Sequence, residues 1–558
     1  MTSRPRVTIA GGGIAGLTAA LRLAERGYQV KVYEQNSMLG GDLGSRTAPN
    51  GVHHDVYPHM YLNWYHNFWR LLGDISDAHR DEQFAPFSSV KQLRKGDFPR
   101  FTSLTDTYSP WHLLQNLLSG VGPPADMFLY AYSNVDLLAE RLTPTVLLDE
   151  LSVNGFLHAR PYMTDRAAAA YDSWITRVWA IPSYLASAYD YRTYLEYGFA
   201  EPEPAFWLLR GSAADRVIGP LAAALEAVGV EIACSVQVTS VSCTDRRVNK
   251  IGLQRTRFDG GSHTWVGTGN EWSEEVDELI LAVPAPALSR LVRTGEPGHR
   301  IVEAAPQIAE VSRLRTEQVP ILYLYFTRKL PEIPAEPVGL SDSRYDLAFT
   351  DISQTWEGVA EFDDRTVLAV SSSDPYGLPG TGPRDDALAM LVELAEYVTG
   401  FEAPTAWGQS PDVDWERTSY EPNADARLFV NETGGDLWRP KTSCKGLSNL
   451  SFAGDLCDNR IGMTTVEAAV TTGLEAARAV VNRRGVGAPV EIKEPASPPT
   501  AFFVWLRYAW APYACAAKVW SSASDTIGSI ARRVSGTQSA LRYLLTPASH
   551  QARQRRES

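Results

Sequence analysis

The chain has 558 residues, of which 44% are hydrophobic and 21% are charged. This length predicts a large buried core shared by two intertwined domains, and the composition is ordinary for a globular protein. The formal net charge of −13 argues against nucleic acid as the main partner.

The beginning of the chain predicts a strand, a turn, a helix and a second strand. The strands are the apolar runs 7–10 and 30–33, and the helix extends from Leu17 to Arg26. The turn between the first strand and the helix carries a dinucleotide-binding fingerprint. The residues of this fingerprint are Gly11, Gly13, Ile14, Ala15 and Gly16.

Each glycine of the fingerprint has a mechanical role. Gly11 permits a tight turn, Gly13 lets the backbone approach a pyrophosphate, and Gly16 lets the helix pack closely on the strand. The pyrophosphate is expected at the helix N-terminus, where free N–H groups favour negative charge. Glu34, at the end of the second strand, is placed to accept hydrogen bonds from a ribose diol.

A second glycine pair, Gly40 and Gly41, follows the acidic residue. This extended motif resembles that of flavoproteins related to amine oxidases and carotenoid desaturases, which bind FAD. The family usually has Arg or Lys at the position of Asp42. The resemblance therefore implies that Arg46, close by in the sequence, stands in as the cationic contact to the cofactor.

The segment 51–72 resembles the carotenoid desaturase branch. Asp55, His59, Tyr65 and Asn67 match the pattern of that branch in order. His59 is either a packing histidine or a polar group beside the flavin, and it is the candidate for proton transfer. The neighbouring histidines lack ligand companions at metal-binding spacing, so no metal site is expected.

Six aromatic side chains in the same segment predict either the lining of an apolar pocket or ordinary core packing. They are Tyr57, Tyr61, Trp64, Tyr65, Phe68 and Trp69.

Residues 76–204 change to helical patterns. Helices are predicted at Trp111–Leu118, Met127–Leu142 and Arg166–Leu185. In the superfamily such an insertion resembles a substrate cap, and its aromatic content suits a nonpolar substrate. A plain helical core would give the same pattern.

The middle of the chain predicts a return to the nucleotide-binding domain. In the family a valine on the strand 236–241 contacts the adenine side of FAD through its backbone, which implies Val236 or Val238. The polar stretch Thr244–Val276 predicts a hairpin, and Glu278–Val283 predicts a buried strand.

The strand Pro320–Phe326 bears on amine oxidation. Many amine oxidases have a lysine at the start of this strand, near flavin N5. This chain has Val319, Pro320 and Ile321 there. The resemblance therefore favours a desaturase-like reaction over the oxidation of amines.

A second strong motif follows near the end of the domain. A strand ending in Gly454 and Asp455 precedes a helix of small residues, which resembles the C-terminal FAD signature of the superfamily. Gly454 allows close approach, and Asp455 can hold ribityl hydroxyls or organise the pyrophosphate. Backbone N–H groups at Thr464, Thr465 and Val466 would stabilise negative charge at flavin N1 and O2.

Residues 500–558 have the opposite charge to the chain as a whole. They hold eight basic and two acidic side chains, a net +6 against −13 for the whole chain, and aromatic residues crowd their first half. Arg507, Pro512 and Lys518 interrupt the apolar run, so no clean transmembrane helix is predicted. The pattern favours a segment in a membrane interface over a helix packed on the enzyme or on a partner.

The cysteines and the start of the chain bear on location. The five cysteines are odd in number and lack metal-ligand spacing, which predicts the reduced thiols of a cytoplasmic protein. The first apolar run leads straight into the nucleotide fold, so no signal peptide is expected. We therefore expect a cytoplasmic protein with peripheral contact to the cytoplasmic membrane.

Together these features predict an α/β protein with a Rossmann-type FAD-binding domain, an interleaved α+β substrate domain and an amphipathic C-terminal tail. The predicted boundaries are 1–75, 205–295 and 440–485 for the FAD-binding domain, 76–204 and 296–439 for the substrate domain, 486–499 for a linker and 500–558 for the tail.

The predicted activity is hydride transfer between a carbon of a small hydrophobic, isoprenoid or polyene-like substrate and flavin N5. The predicted electron acceptor is lipid-soluble or oxygen. The alternatives are oxidation of a bulky amine and a membrane-tethered flavoprotein with an assembly role.

Overall fold

The computed structural model describes residues 4–47, 53–105, 109–140, 145–293 and 295–545. The predicted helix end at Leu142 and tail residues 546–558 lie outside these ranges. The strands are β1 (Arg6–Ala10), β2 (Gln29–Tyr33), β3 (Ser45–Thr47), β4 (His53–Asp55), β5 (Phe84–Phe87), β6 (Val90–Leu93), β7 (Thr102–Leu104), β8 (Phe206–Leu209), β9 (Glu231–Ala233), β10 (Val236–Thr244), β11 (Arg247–Asp259), β12 (Thr264–Glu275), β13 (Glu278–Leu281), β14 (Thr316–Glu317), β15 (Ile321–Tyr325), β16 (Val338–Leu340), β17 (Leu347–Asp351), β18 (Val367–Ser372), β19 (Ser419–Glu421), β20 (Leu428–Phe429) and β21 (Leu450–Phe452).

The α-helices account for most of the remaining regular structure. They are α1 (Ile14–Ala24), α2 (His66–Ile75), α3 (Arg80–Gln83), α4 (Pro110–Leu118), α5 (Pro124–Leu138), α6 (Thr145–Asp149), α7 (Val153–His158), α8 (Asp165–Trp179), α9 (Ala188–Ala200), α10 (Gly219–Ala227), α11 (Ala285–Arg293), α12 (Gly295–Ala304), α13 (Ile352–Thr355), α14 (Pro383–Tyr397), α15 (Val466–Arg484) and α16 (Thr500–Leu545).

A parallel sheet in the order β21-β13-β1-β2-β9 forms the nucleotide-binding part. Its strands come from the beginning, middle and end of the chain. Ala10, the last residue of β1, aligns with Tyr33 on one side and Leu281 on the other. The carboxyl ends of the strands therefore meet at one edge, where ligands bind in doubly wound folds. The predicted α/β class is confirmed.

The second part contains a seven-stranded mixed sheet in the order β19-β15-β18-β17-β16-β6-β7. The helices α4 to α9 form a separate layer. The polar stretch 244–276 is the predicted hairpin, with β11 antiparallel to β12.

Two predicted helix boundaries are wrong. The helix α5 begins at Pro124, before the expected Met127, because prolines fit the first turn of a helix. The helix α8 ends at Trp179 and does not reach Leu185. It ends there because Ala180 adopts a left-handed conformation with φ of 53°, which stops a right-handed helix.

The tail helix α16 contacts α5 along the helical layer. Phe503 and Ala514 are buried in this contact. The Arg507 guanidinium pairs with Asp136 at 3.2 Å. One face of the tail therefore packs on the protein, which was the second alternative that the sequence left open. Within the described residues no helix has the length and apolar character needed to cross a membrane.

The predicted linker 486–499 lies against the nucleotide-binding part. The Asn67 side-chain amide donates to Lys493 O at 2.8 Å and accepts from Lys493 N–H at 2.8 Å. Arg26 Nε donates to Ala488 O at 2.7 Å. The segment is therefore held in place by backbone hydrogen bonds although it has no regular secondary structure.

The helices α1 and α15 cross closely at Gly473. A Cβ atom built at Gly473 would lie 2.4 Å from Ala15 O and 3.1 Å from the Thr18 side chain. Only glycine permits this approach, because real Cβ atoms do not come within 3.0 Å of backbone atoms. The crossing fixes the two helix N-termini relative to one another.

We expect Gly473→Ala to lower the free energy of unfolding by about 1 to 3 kcal/mol, since the methyl group forces the helices apart. Urea unfolding followed by circular dichroism measures this change. Gly435→Ala is the matched control, because a Cβ atom added at Gly435 would have no neighbour within 4 Å. Equal stabilities of the two variants would contradict the close crossing.

Candidate active site

A cavity of about 840 Å³ opens at the carboxyl edge of the parallel sheet. Its lining includes every predicted cofactor-binding residue except Gly16, together with His59. These residues are Gly11, Gly13, Ile14, Ala15, Glu34, Gly40, Gly41, Arg46, Val238, Gly454, Asp455, Thr464, Thr465 and Val466. The structure thus brings the two ends of the chain together at one site.

The fingerprint glycines have the predicted geometry. Gly11 has φ of +107°, and its Cβ would lie 2.0 Å from Ala282 O. The Cβ of Gly16 would lie 2.1 Å from Gly11 O, so Gly16 serves the packing of helix on strand. A Cβ atom built at Gly13 would have its nearest neighbour, Gly40 O, at 3.9 Å. Gly13 therefore presents open backbone to the cavity.

Two helices begin at the cavity wall. Helix α1 begins at Ile14 and α15 begins at Val466, and both residues line the cavity. Thr465 caps α15 by accepting a hydrogen bond from Ala468 N–H at 3.0 Å. The free N–H groups of each first turn provide partial positive charge. The arrangement suits an anionic or electron-rich ligand.

Glu34 is buried beside the turn. Its Oε2 accepts from Gly12 N–H at 2.6 Å and its Oε1 from Asn36 N–H at 2.8 Å. Burial raises the pKa of Glu34, and these hydrogen bonds oppose the rise. Each oxygen keeps a further lone pair for a ligand hydroxyl, so the predicted ribose contact remains open.

Two polar atoms near the start of β10, among the described residues of the cavity lining, lack protein partners. Asn36 Oδ1 and Thr239 Oγ1 are buried, and neither makes a hydrogen bond. Buried polar groups are normally paired, so a wall with unpaired acceptor and hydroxyl groups fits a polar ligand. Both atoms lie on the side of Val236 and Val238, which also line the cavity.

The nucleotide side of the cavity carries more acidic side chains than the sequence predicts. Arg46 pairs with Asp425 at 2.8 Å and lies 3.8 Å from Glu421, so its charge is already neutralised. Burial and then the Asp455 carboxyl raise the pKa of Asp42 to about 7. Burial also raises the pKa of Asp455 to about 6. The implied role of Arg46 as a cofactor cation stays a prediction.

His59 lines the cavity. Its Nδ1 lies 2.8 Å from Tyr57 O, to which it donates as the Nδ1–H tautomer. Burial lowers the pKa of His59 to about 4. The ring is therefore neutral near pH 7, with a lone pair on Nε2.

The aromatic side chains of segment 57–69 divide between the two predicted roles. Tyr57 and Tyr65 line the cavity. Tyr61, Trp64 and Phe68 are core residues, each no more than 2% exposed. Trp69 is partly buried, and the Arg80 guanidinium lies 4.1 Å from its ring centre.

Two further residues of the desaturase-like pattern have structural roles. Asp55 accepts from Ser45 Oγ at 2.6 Å and from Ala213 N–H at 2.9 Å. Asn67 holds residue 493 and also donates from its backbone to Glu467 at 2.9 Å. These contacts join elements around the site without lining the cavity.

The other half of the cavity is lined by residues of α8 and α9 together with residues from the segments 60–65, 105 and 205–206. This half carries no charged side chain among the described lining residues. Its residues are Met60, Leu62, Tyr65, Thr105, Trp174, Val178, Trp179, Ala180, Tyr194, Ala205 and Phe206. Trp174 Nε1 is buried without a hydrogen-bond partner. The surface favours an extended, largely apolar ligand.

The sequence analysis missed Asn431, which joins both halves of the site. Asn431 Oδ1 accepts from Thr464 N–H at 2.8 Å, and its Nδ2 donates to Asp190 Oδ2 at 2.8 Å. Asp190 is 2% exposed, and burial and then Asp436 raise its pKa. A lone Asn in an irregular segment gives no motif, so only the folded chain shows this role.

Comparison with known proteins decides the family. The model of the flavin containing amine oxidoreductases matches residues 14–481, a range that begins inside the first glycine fingerprint and includes Gly40, Gly41 and Gly454. The chain belongs to this family. It is therefore a flavin-dependent oxidoreductase.

This flavin oxidoreductase is similar to three proteins whose descriptions are more specific. The carotenoid phi-ring synthase of Streptomyces griseus is 25% identical over 508 residues, covering 86% of this chain and 89% of that protein. The zeta-carotene desaturase of Solanum lycopersicum is 36% identical over 70 residues, which are only 12% of each chain. A putrescine oxidase bound to putrescine has a TM-score of 0.58 at 16% identity, covering 86% of this chain and 99% of that one. The last likeness shows the fold.

We expect stability of the flavin-free oxidoreductase to depend on Asp42. Its pKa is about 7 in the folded chain against an ordinary 3.8, so from pH 4 to pH 7 the folded state keeps a proton that the unfolded state has lost. The free energy of unfolding therefore falls as pH rises through this window, by less than about 4 kcal/mol.

Asp42→Asn is expected to flatten this pH dependence, which urea titrations at a series of pH values measure. It also removes a negative charge beside the helix N-termini, so we expect slower flavin loss on dialysis. Asp363→Asn, at an exposed carboxyl, is the control and should change neither. An unchanged pH slope in Asp42→Asn would refute this account.

Proposed function

We propose that this flavoprotein binds FAD and transfers a hydride between a carbon of a hydrophobic, isoprenoid or polyene-like substrate and the flavin. The observation that carries this proposal is the division of one cavity into two chemically distinct halves. One half has helix N-termini and polar groups, and the other is apolar, aromatic and uncharged. A dinucleotide cofactor fits the first half and a nonpolar substrate fits the second.

The residues present fit FAD. The Gly13 backbone and the start of α1 suit a pyrophosphate, and Glu34 suits a ribose diol. Asn36 Oδ1 and Thr239 Oγ1 offer unpaired polar atoms to the adenosine end. Backbone N–H groups at Thr465 and Val466, at the start of α15, suit a ring carbonyl. When bound, the flavin supplies the acceptor or donor of the hydride.

The uncharged half argues for a nonpolar substrate over an amine. An ammonium group buried there would lack a carboxylate partner, and burying an unpaired charge is costly. An aromatic cage could offset part of this cost, which keeps the amine reaction as the alternative. Similarity to a carotenoid phi-ring synthase and to zeta-carotene desaturases also supports the nonpolar substrate.

His59 is the candidate proton acceptor in a desaturation. Loss of a hydride from one carbon and a proton from its neighbour leaves a carbon–carbon double bond. His59 lines the cavity, and Tyr57 O holds its Nδ1–H, which leaves the lone pair on Nε2. With a pKa of about 4, the ring stays neutral and ready to accept a proton above pH 5.

We expect His59→Gln to lower kcat by about 10²-fold or more with little change in KM, since general-base catalysis contributes about 10²–10⁴. Wild-type kcat should show no loss from His59 protonation between pH 8 and pH 5, because the pKa is about 4. Steady-state kinetics at several pH values test both points. A kcat within threefold of wild type, with normal flavin content, would remove His59 from the mechanism.

The decisive experiment mixes the purified holoprotein anaerobically with a detergent-dispersed isoprenoid or polyene, and separately with amines. Flavin absorbance is followed in each case. Bleaching by the isoprenoid alone supports the proposal, and bleaching by amines alone establishes the alternative. Bleaching by neither calls for the same test starting from reduced flavin, where reoxidation by the isoprenoid would give the reductive direction.

Trp179 provides a matched pair for this experiment. We expect Trp179→Ala to slow the reaction at limiting isoprenoid by about tenfold, because it removes a large apolar surface from the substrate half. Trp179→Phe keeps most of that surface and should stay close to wild type. If both variants react as wild type does, the substrate does not occupy this half of the cavity.

A further inference from the structure

The helix α16 is fixed on the protein by one face. The ring centres of Phe503 and Phe199 are 5.0 Å apart, and those of Trp510 and Phe128 are 5.6 Å apart. Near the other end of this contact, Ser521 Oγ donates to the buried Asp126 carboxylate at 2.7 Å. Because these contacts span several helical turns, the opposite face has a defined direction.

The opposite face, here called the outward face, is apolar and exposed. Its members recur every three or four positions, so they form one continuous stripe. They are Phe502, Trp505, Tyr508, Ala509, Pro512, Tyr513, Ala516, Val519 and Trp520. The six largest are between 49% and 74% exposed. Apolar patches of this extent on a soluble surface usually mark an interaction site.

The outward face carries no charged side chain between residues 500 and 524. The charged residues in this span are Arg507 and Lys518, and both turn toward the protein. Arg507 pairs with Asp136 at 3.2 Å. Lys518 Nζ donates to Pro161 O at 2.6 Å and to Met163 O at 3.2 Å. A helix that meets only water normally carries charge on its solvent side.

We propose that the outward face of α16 lies in the interface of a lipid bilayer. Tryptophan and tyrosine are the side chains that favour this interface, and a helix of this kind lies in the membrane plane without crossing it. The sequence 525–558 adds six arginines against two acidic residues, which suits anionic headgroups. A second copy of this chain is a poorer partner, because each copy has a net charge of −13.

The bilayer would then adjoin the helices that line the cavity. Helix α9 contacts Phe503 through Phe199 and lines the cavity through Tyr194. Helix α8 lines it through Trp174, and Arg166 near its start donates to Ser521 Oγ at 2.9 Å. Membrane binding stands independently of the reaction, whereas uptake of substrate from the bilayer rests on the proposed function.

The test is flotation of the full-length holoprotein with vesicles of phosphatidylcholine, alone or mixed with phosphatidylglycerol. Wild type should float with both, and more with the anionic mixture. A double variant with Trp505→Glu and Trp520→Glu should bind at least about a hundredfold less, since burial of each large apolar side chain is worth about tenfold or more. Bound flavin and thermal unfolding show that the variant is folded.

Two controls make the result specific. The pair Trp505→Phe and Trp520→Phe keeps the apolar surface and should float as wild type does. Leu437→Glu places a charge at another exposed apolar side chain, 59% exposed, and should also float normally. Equal flotation of the glutamate pair and wild type would overturn the proposal. The proposal would also be overturned if wild type did not bind vesicles but formed a dimer, measured by light scattering, and the glutamate pair abolished that dimer.

Discussion

The site depends on the close crossing of α1 and α15. Gly473 lets α15 lie directly against Ala15 O, so the first turns of both helices face one cavity. The two helices come from opposite ends of the chain, and neither could complete the site alone. Because the free N–H groups of each first turn carry partial positive charge, the crossing brings two electropositive helix ends to one cavity.

That field works against an acidic background. Asp42, Asp425 and Asp455 all line the cavity, and Arg46, which lines it as well, is engaged by carboxylates. The pKa values of Asp42 and Asp455, about 7 and about 6, show how strongly burial disfavours their charge. Proton uptake by these carboxyls lessens their repulsion of a phosphate.

The sequence predicted the fold of the nucleotide-binding part well because its requirements are local. A tight turn, a close helix and a short strand each need particular residues at fixed spacing, as at Gly11, Gly16 and Gly454. The apolar half was predicted only as a tendency, since aromatic residues serve cores and pockets equally. Tyr61 and Tyr65 illustrate this, because one is core and the other lines the cavity. Asn431 and the pairing of Arg46 depend on contacts between distant segments, which no spacing rule contains.

The chain segment after α15 acts as a strap between the two parts of the molecule. Residue 493 is held by the Asn67 amide on the nucleotide-binding side, and Arg507 is held by Asp136 on the helical side. A movement that separates the parts must break one of these attachments or stretch the few residues between them. These two attachments therefore resist separation of the nucleotide-binding side from the helical side.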